Sequence, residues 1–348
     1  VEINNINEYE KKLEYVFVVP NRNERKARIE KQLHTLFRNN DEGIILDKNL
    51  LETVIDLVEY PTAVVAKFDR KYLELPELVV TSTLSEHQKY FAVKDKNGNV
   101  TNKFVFISNG DEKYSDLIKQ GNEKVVKARL EDAEFYYKED TKQPLENYVP
   151  KLKEVTFQEK LGSLFEKTER IKKLTEYLCT ELNLNKTIKD NSIRAAHLCK
   201  ADLVTMMLGE KEYTKLQGYI GSEYARKSGE NCDVAKAIEE HYKSGGYYKN
   251  LSKVGAIVAI ADKMDTVCGI IGVNMIPTGS KDPFALRRAG NGIVQIIANQ
   301  NFEIDLHKLI DEAFNQLDTK LSEPEHNKNI VYDFFKQRVN WLLKQRGI

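Results

Sequence analysis

The spacing of apolar residues changes character near residue 157 of this 348-residue chain. Before that point helical and strand patterns alternate, whereas after it apolar residues recur only with helical spacing. A chain of this length is too long for one ordinary hydrophobic core, which favours two domains. We therefore predict an α+β fold, in which a mixed α/β domain over residues 1–150 precedes an all-helical domain over residues 151–348.

Strand and turn patterns in the first 150 residues predict a small sheet. Strands are predicted over Thr62–Phe68 and over the β-branched run Leu78–Thr83. The Asn97-Gly98 pair between two apolar runs is typical of a hairpin turn. A charged helix is predicted to begin at Gly121.

In the second part, a long apolar seam from Leu161 to Leu178 predicts a first helix. Gly and Pro residues separate the later helical stretches. These stretches are predicted over about 190–208, 211–228, 232–242, 252–271, 283–300, 305–318 and 327–346.

The bulk composition excludes some classes of protein. With 53 basic and 53 acidic residues, the net charge is zero, which argues against a general nucleic-acid coat but not against a local basic patch. No apolar run approaches the roughly 20 residues that span a bilayer, so we expect no membrane partner.

The first residue is not Met and the last follows a helical stretch, so we interpret the chain as part of a longer protein. The chain has four widely spaced cysteines without a C-x-x-C pair: Cys179, Cys199, Cys232 and Cys268. Most of them lie in helix-like contexts, which predicts buried, reduced thiols and a cytoplasmic location.

The segment Pro277–Arg288 combines a turn, a helix start and several cations. Asp282-Pro283 is typical of a helix N-terminus, with Arg287 and Arg288 one turn later. Together with Lys281, this helix end could receive a phosphate group. Equally, Asp282 could simply cap the helix while the arginines form weak surface ion pairs.

Two segments of the first domain also carry candidate contacts to nucleic acid. His87 and Lys89 lie in a polar cluster that could contact phosphates or bases, although a solvated turn would have the same composition. Lys124 and Arg129 alternate with acidic residues at helical spacing, which normally indicates surface ion pairs.

Asp202, His241 and Asp262 lie on separate predicted helices, as metal ligands do in a helical bundle. Their order resembles the HD family of metal-dependent phosphohydrolases, in which helices supply a His, a His-Asp pair and a distant Asp. Lys200 lies near the expected position of that pair, and its ammonium group would repel a divalent cation. We therefore predict an HD-like helical scaffold without a working metal site.

Short motifs along the whole chain resemble the beta subunit of bacterial two-subunit glycyl-tRNA synthetase in order and spacing. The Pro277–Arg288 string is the most specific of them. The others are Leu75-Pro76, Glu86–Phe91, Gly121–Val125, Ala128–Leu130, Asp132–Tyr136, Phe157-Gln158, Lys160–Gly162, Lys200–Leu203, Leu216–Gly218, Ala237–Tyr242 and Ala261–Asp265.

In that family, two alpha and two beta chains form the enzyme, and the alpha chain activates glycine with ATP and Mg²⁺. The resemblance implies that this chain contains no cofactor and is non-catalytic alone. It would support binding of tRNA(Gly) and assembly with the alpha subunit during ATP-dependent charging. The alternatives are an HD-type phosphohydrolase and a purely structural alpha-binding module.

The resemblance also has implications for the parts of the chain. The first domain resembles a region of the phenylalanyl-tRNA synthetase beta subunit, and the second is HD-like. The family's N-terminal motif and its C-terminal anticodon-binding domain are not found in the sequence. The predicted tRNA-binding residues are Lys281, Arg287, Arg288, Lys89, His87, Lys124 and Arg129.

Overall fold

The computed structural model describes residues 1–38, 41–317, 320–321 and 323–347, apart from the side chain of Tyr247. The chain forms two compact units, one of residues 1–139 with 210–215 and one of residues 140–209 with 216–348. The fold combines a sheet with many helices, so the α+β class is confirmed. Among the described residues, no helix has the length and apolar character needed to cross a membrane.

The first unit contains an antiparallel four-stranded sheet of β1 (Glu42–Ile44), β2 (Pro61–Lys67), β3 (Phe91–Asp95) and β4 (Val100–Asn109), in the spatial order β1-β3-β4-β2. The predicted strand over Thr62–Phe68 and the predicted hairpin are both confirmed, as β2 and as β3–β4. The α-helices are α1 (Tyr9–Tyr15), α2 (Arg22–Phe37), α3 (Lys48–Leu57), α4 (Glu77–Ser82) and α5 (Ser115–Asp140).

Side chains on the two faces of this sheet contact different helices. Val105 of β4 belongs to the core that α2 and α3 form on one face. Its neighbour Phe104 points to the opposite face, because side chains alternate along a strand. There the ring of Tyr90 stacks on Phe104 with the centroids 5.2 Å apart, and the Tyr90 hydroxyl donates to Asn122 of α5.

Two predictions for this unit were wrong. Leu78–Thr83 is not a strand, because α4 follows Pro76 and continues into a π-helical turn over Thr83–His87. Burial of the apolar face of α4 outweighs the preference of its β-branched residues for strands. Helix α5 begins at Ser115 rather than at Gly121.

The second unit is mainly helical and is organised around α11 (Lys253–Gly272). This helix is apolar on nearly every face, which is typical of a helix at the centre of a bundle. Residue 318, at the end of one predicted stretch, lies outside the described residues. The α-helices are α6 (Leu164–Glu181), α7 (Lys186–Leu198), α8 (Met206–Gly209), α9 (Tyr219–Lys227), α10 (Cys232–Glu240), α11 (Lys253–Gly272), α12 (Leu286–Gln300), α13 (Leu306–Asn315) and α14 (Pro324–Gln345).

The prediction that the second part is entirely helical was wrong at its start. Two short strands, β5 (Thr156–Gln158) and β6 (Gly162–Ser163), form an antiparallel pair just before α6. Gly162 has φ +86°, and a Cβ atom there would lie 2.0 Å from a carboxylate oxygen of Glu166. That carboxylate accepts from the Ser163 backbone and completes a capping box at the start of α6.

Candidate functional site

Charged residues from four elements of the second unit meet in a buried group, here called the buried charge cluster. Its members are Lys167, Arg170, Lys200, His241, Asp262 and Asp265. Helix α6 supplies the first two, and Lys200 follows the end of α7. His241 directly follows α10, and α11 supplies both carboxylates.

The Lys200 ammonium group lies between His241 and Asp262. Its Nζ atom is 3.0 Å from His241 Nε2 and 2.9 Å from Asp262 Oδ2. His241 Nδ1 is 2.7 Å from the Ile238 carbonyl oxygen, to which it donates, so Nε2 has the lone pair that accepts from Lys200. A divalent cation bound by His241 and Asp262 would have to displace this ammonium group.

The protonation states in the cluster follow from burial and these contacts. Burial opposes ionisation of Asp262, but Lys200 and Lys167 outweigh it and hold the pKa of Asp262 well below its usual range. Burial also works against the charge on Lys200, yet Asp262 more than offsets it and raises the pKa of Lys200. Burial and the adjacent Lys200 hold the pKa of His241 well below its usual value, so its ring is neutral. Lys200 and Asp262 therefore form a charged pair.

Asp202, grouped with His241 and Asp262 by sequence, makes different contacts. Its Oδ2 atom accepts from the Gly218 backbone N–H at 2.6 Å, while Oδ1 is buried without a partner among the described residues. Burial raises the pKa of Asp202 to about 6, although the Gly218 N–H and Lys200 act to lower it.

This raised pKa predicts a pH-dependent stability that Asp202→Asn removes. A carboxyl group with a pKa higher in the folded than in the unfolded chain stabilises the fold at low pH and loses that effect as pH rises through about 6. Between pH 5 and 7.5, the wild type should lose about 1–2 kcal/mol of unfolding free energy relative to Asp202→Asn. Urea denaturation of both proteins across this range measures the difference, and parallel curves would contradict it.

The second carboxylate of α11 has partners that sequence reasoning missed. Asp265 Oδ1 accepts from Arg170 Nε at 2.6 Å, and Oδ2 accepts from Lys167 Nζ at 2.9 Å. The side chain of Asp265 is 1% exposed. The only signal in the sequence was that Lys167 and Arg170 adjoin the apolar seam of α6, where a charge requires a buried partner.

The segment Pro277–Arg288 forms a second charged group, here called the cationic corner, whose cations are Lys281, Arg287 and Arg288. Thr278 and Lys281 exchange backbone hydrogen bonds of 3.1 and 2.7 Å across a tight turn. The Asp282 carboxylate accepts from the backbone N–H groups of Leu286 and Arg287 at 2.8 and 3.0 Å. Asp282 is thus a cap, but the predicted helix start at Pro283 was wrong, since α12 begins at Leu286 after Ala285 at φ 52°.

The cations of this corner are not neutralised within the described part of the chain. Lys281 and Arg288 are exposed and Arg287 is half-buried, and no carboxylate oxygen of the described residues lies within 4 Å of a nitrogen atom of these three side chains. By contrast, Arg194 in the same unit contacts both Glu146 and Glu230. The corner is therefore a local positive patch on a chain without net charge.

The predicted tRNA-binding residues of the first unit lie in two environments, exposed and buried. Lys124 and Arg129 are exposed on α5, and Lys89 Nζ donates to the Glu86 carbonyl oxygen at 2.8 Å. The side chain of His87 is 5% exposed and lies 3.5 Å from Glu212, so its ring packs inside the unit rather than on its surface. Burial is also the main cause that lowers the pKa of His87.

Comparison with known proteins assigns the chain to an aminoacyl-tRNA synthetase family. The family model described as glycyl-tRNA synthetase beta subunit matches residues 1–348. The glycine–tRNA ligase beta subunit of Pediococcus pentosaceus is 40% identical over 358 residues, covering 100% of this chain and 51% of that protein. Those of Clostridioides difficile and Bacillus subtilis are 41% and 40% identical over 350 residues, covering 100% of this chain and 50% of each protein.

The chain belongs to the glycyl-tRNA synthetase beta subunit family, and the resemblance carried by its motifs is confirmed. It spans about half the length of the curated relatives that it matches.

Proposed function

We propose that this chain is part of the beta subunit of a cytoplasmic glycine–tRNA ligase. It would support binding of tRNA(Gly) and assembly with the catalytic alpha subunit, which uses ATP and Mg²⁺ to charge the tRNA. We also propose that the first unit is the module similar to the phenylalanyl-tRNA synthetase beta subunit and that the second is the HD-like domain. Membership of the family supports the assignment to a glycine–tRNA ligase.

The observation that supports tRNA binding most directly is the un-neutralised charge of the cationic corner. Guanidinium groups bind phosphate through forked hydrogen bonds, and the nearby start of α12 adds its positive dipole end. Such contacts would position the tRNA backbone and would not read its bases. We keep Lys89, Lys124 and Arg129 as secondary candidates, whereas the buried ring of His87 favours a structural role.

Phosphohydrolase chemistry is disfavoured by the position of the Lys200 ammonium group. It contacts both His241 and Asp262, so it occupies the space that a metal ion shared by these two residues would need. Among the described residues, no group of three or more His, Cys, Asp and Glu side chains could hold a metal ion.

Replacing Arg287 and Arg288 together with alanine should weaken the affinity of the chain for tRNA(Gly) by at least about tenfold, because two phosphate contacts are lost. Fluorescence anisotropy with labelled tRNA(Gly) at fixed salt measures this change. The matched control is Lys186→Ala with Lys227→Ala, which removes the same charge from exposed positions on α7 and α9. Equal losses in both double variants would mean that the corner is not the site.

A further inference from the structure

A cavity of about 220 Å³ adjoins the cationic corner. Its apolar wall includes Ile271 of α11 and Phe334 of α14, and its polar groups include Arg287 of α12 and Arg338 of α14. Since a water molecule occupies about 30 Å³ in the liquid, there is room for a phosphate group with its ester carbon.

Arg338 is held in place at this cavity. Its guanidinium carbon lies 4.2 Å from the centre of the Phe334 ring, and Nη1 donates to Phe334 O at 3.3 Å and to Gln337 Oε1 at 3.1 Å. Gly290 of α12 permits this approach of α14, because a Cβ atom there would lie 2.5 Å from the Phe334 ring and 3.3 Å from Arg338 Cγ. The guanidinium group is thus preorganised rather than free to move away.

Charge at the cavity is poorly compensated. Neither Arg287 nor Arg338 has a carboxylate within 4 Å in the part of the chain that the structure describes. Burial and then the like charge of Arg287 lower the pKa of Arg338, against the opposing effect of Asp282. The Asp282 carboxylate is already engaged as the α12 cap, and exposed Asp333 is the acidic residue among those lining the cavity.

The geometry points to a phosphate-binding site in this cavity, in which Arg287 and Arg338 hold one phosphate group between α12 and α14. Two guanidinium groups from different helices can present their N–H forks to one tetrahedral anion. Gln337 adds an amide donor at the wall, and the apolar wall suits the ester carbon of a phosphodiester. The inference rests on the proposed function only for the source of the phosphate, which is the tRNA backbone.

Arg338→Ala should weaken tRNA(Gly) binding by about tenfold, although Arg338 lies outside the Pro277–Arg288 segment. Arg338→Lys should recover part of the loss, because it keeps the charge but not the forked geometry. Lys344→Ala is the matched control, since it removes an exposed cation from the same helix and should leave affinity within about twofold. Arg338→Gln keeps the side chain out to the ε position without the charge, and it serves as the test variant if circular dichroism shows that alanine impairs folding.

A second arm uses inorganic phosphate alone and measures the rise in melting temperature that it causes. The rise should be larger in the wild type and in Lys344→Ala than in Arg338→Ala. If the wild type binds no tRNA but this difference remains, the proposed function fails and the phosphate site stands. If tRNA binding is normal in Arg338→Ala, or if phosphate stabilises all variants equally, the phosphate site is wrong while the proposed function is unaffected.

Discussion

Replacing Asp265 with alanine is expected to lower the free energy of unfolding of the second unit by about 3–5 kcal/mol. The carboxylate is 1% exposed and pairs with both Lys167 and Arg170. Its removal leaves an arginine and a lysine buried with too little negative charge nearby. The loss of stability comes mainly from these cations. They lose their hydration when the chain folds, and without Asp265 too little negative charge remains to offset that loss.

Trp341, the single tryptophan, lies on α14 in the second unit, so its fluorescence in urea follows unfolding of that unit. The control is Glu325→Ala, which removes a carboxylate that is 84% exposed and pairs with Lys328 on the same helix. It should cost no more than about 1 kcal/mol. A loss for Asp265→Ala as small as that of Glu325→Ala would show that the buried charge cluster does not stabilise the unit.

Lys200→Met is expected to cost about 2–4 kcal/mol, somewhat less than Asp265→Ala. Methionine fills similar space but leaves Asp262 without its closest cation and His241 without its donor. Lys167, whose Nζ atom is 3.1 Å from Asp262 Oδ1, still compensates part of the carboxylate charge. The loss should therefore fall short of that for an entirely unpaired carboxylate.

A double-mutant cycle measures the interaction between Lys200 and Asp262 separately from the other effects of each substitution. Lys200→Met combined with Asp262→Leu should be more stable than the sum of the two single effects predicts, with a coupling free energy of about 2–3 kcal/mol, because neither charge is then left alone. Additive single effects would contradict the charged Lys200–Asp262 pair on which the argument against a metal ion at His241 depends.

Local patterns predicted much of the fold. The hairpin at Asn97-Gly98 and the buried helix α11 follow from turn chemistry and apolar spacing, which act over a few residues. The strand prediction for Leu78–Thr83 was wrong because β-branched residues are mixed with others in this segment. In such a segment, burial in the folded unit decides between helix and strand. The predicted start of α12 was wrong because Asp282 accepts from the backbone N–H of Leu286, four residues later, whereas a usual N-cap residue accepts from an N–H two or three residues later.

The candidate site was predictable where its residues are adjacent in sequence and was missed where they are not. Arg287 and Arg288 adjoin a recognisable turn, whereas Arg338 reaches the same cavity from a helix some fifty residues later and carries no local signal. The order of Lys200, His241 and Asp262 along the chain suggested an interrupted metal site, and the ammonium group does lie between the other two side chains. The partners of Asp265 depend on how α6 packs against α11, which residue types alone do not specify.

A salt titration of tRNA(Gly) binding shows whether the cationic corner contacts the tRNA backbone. The logarithm of the affinity should fall linearly with the logarithm of the salt concentration, because each phosphate contact releases bound counterions. Arg287→Ala with Arg288→Ala should make this slope shallower by about 2, while Lys186→Ala with Lys227→Ala should leave it unchanged. An unchanged slope in the Arg287 and Arg288 variant, or no tRNA binding by the wild type, would show that the corner does not bind the tRNA backbone.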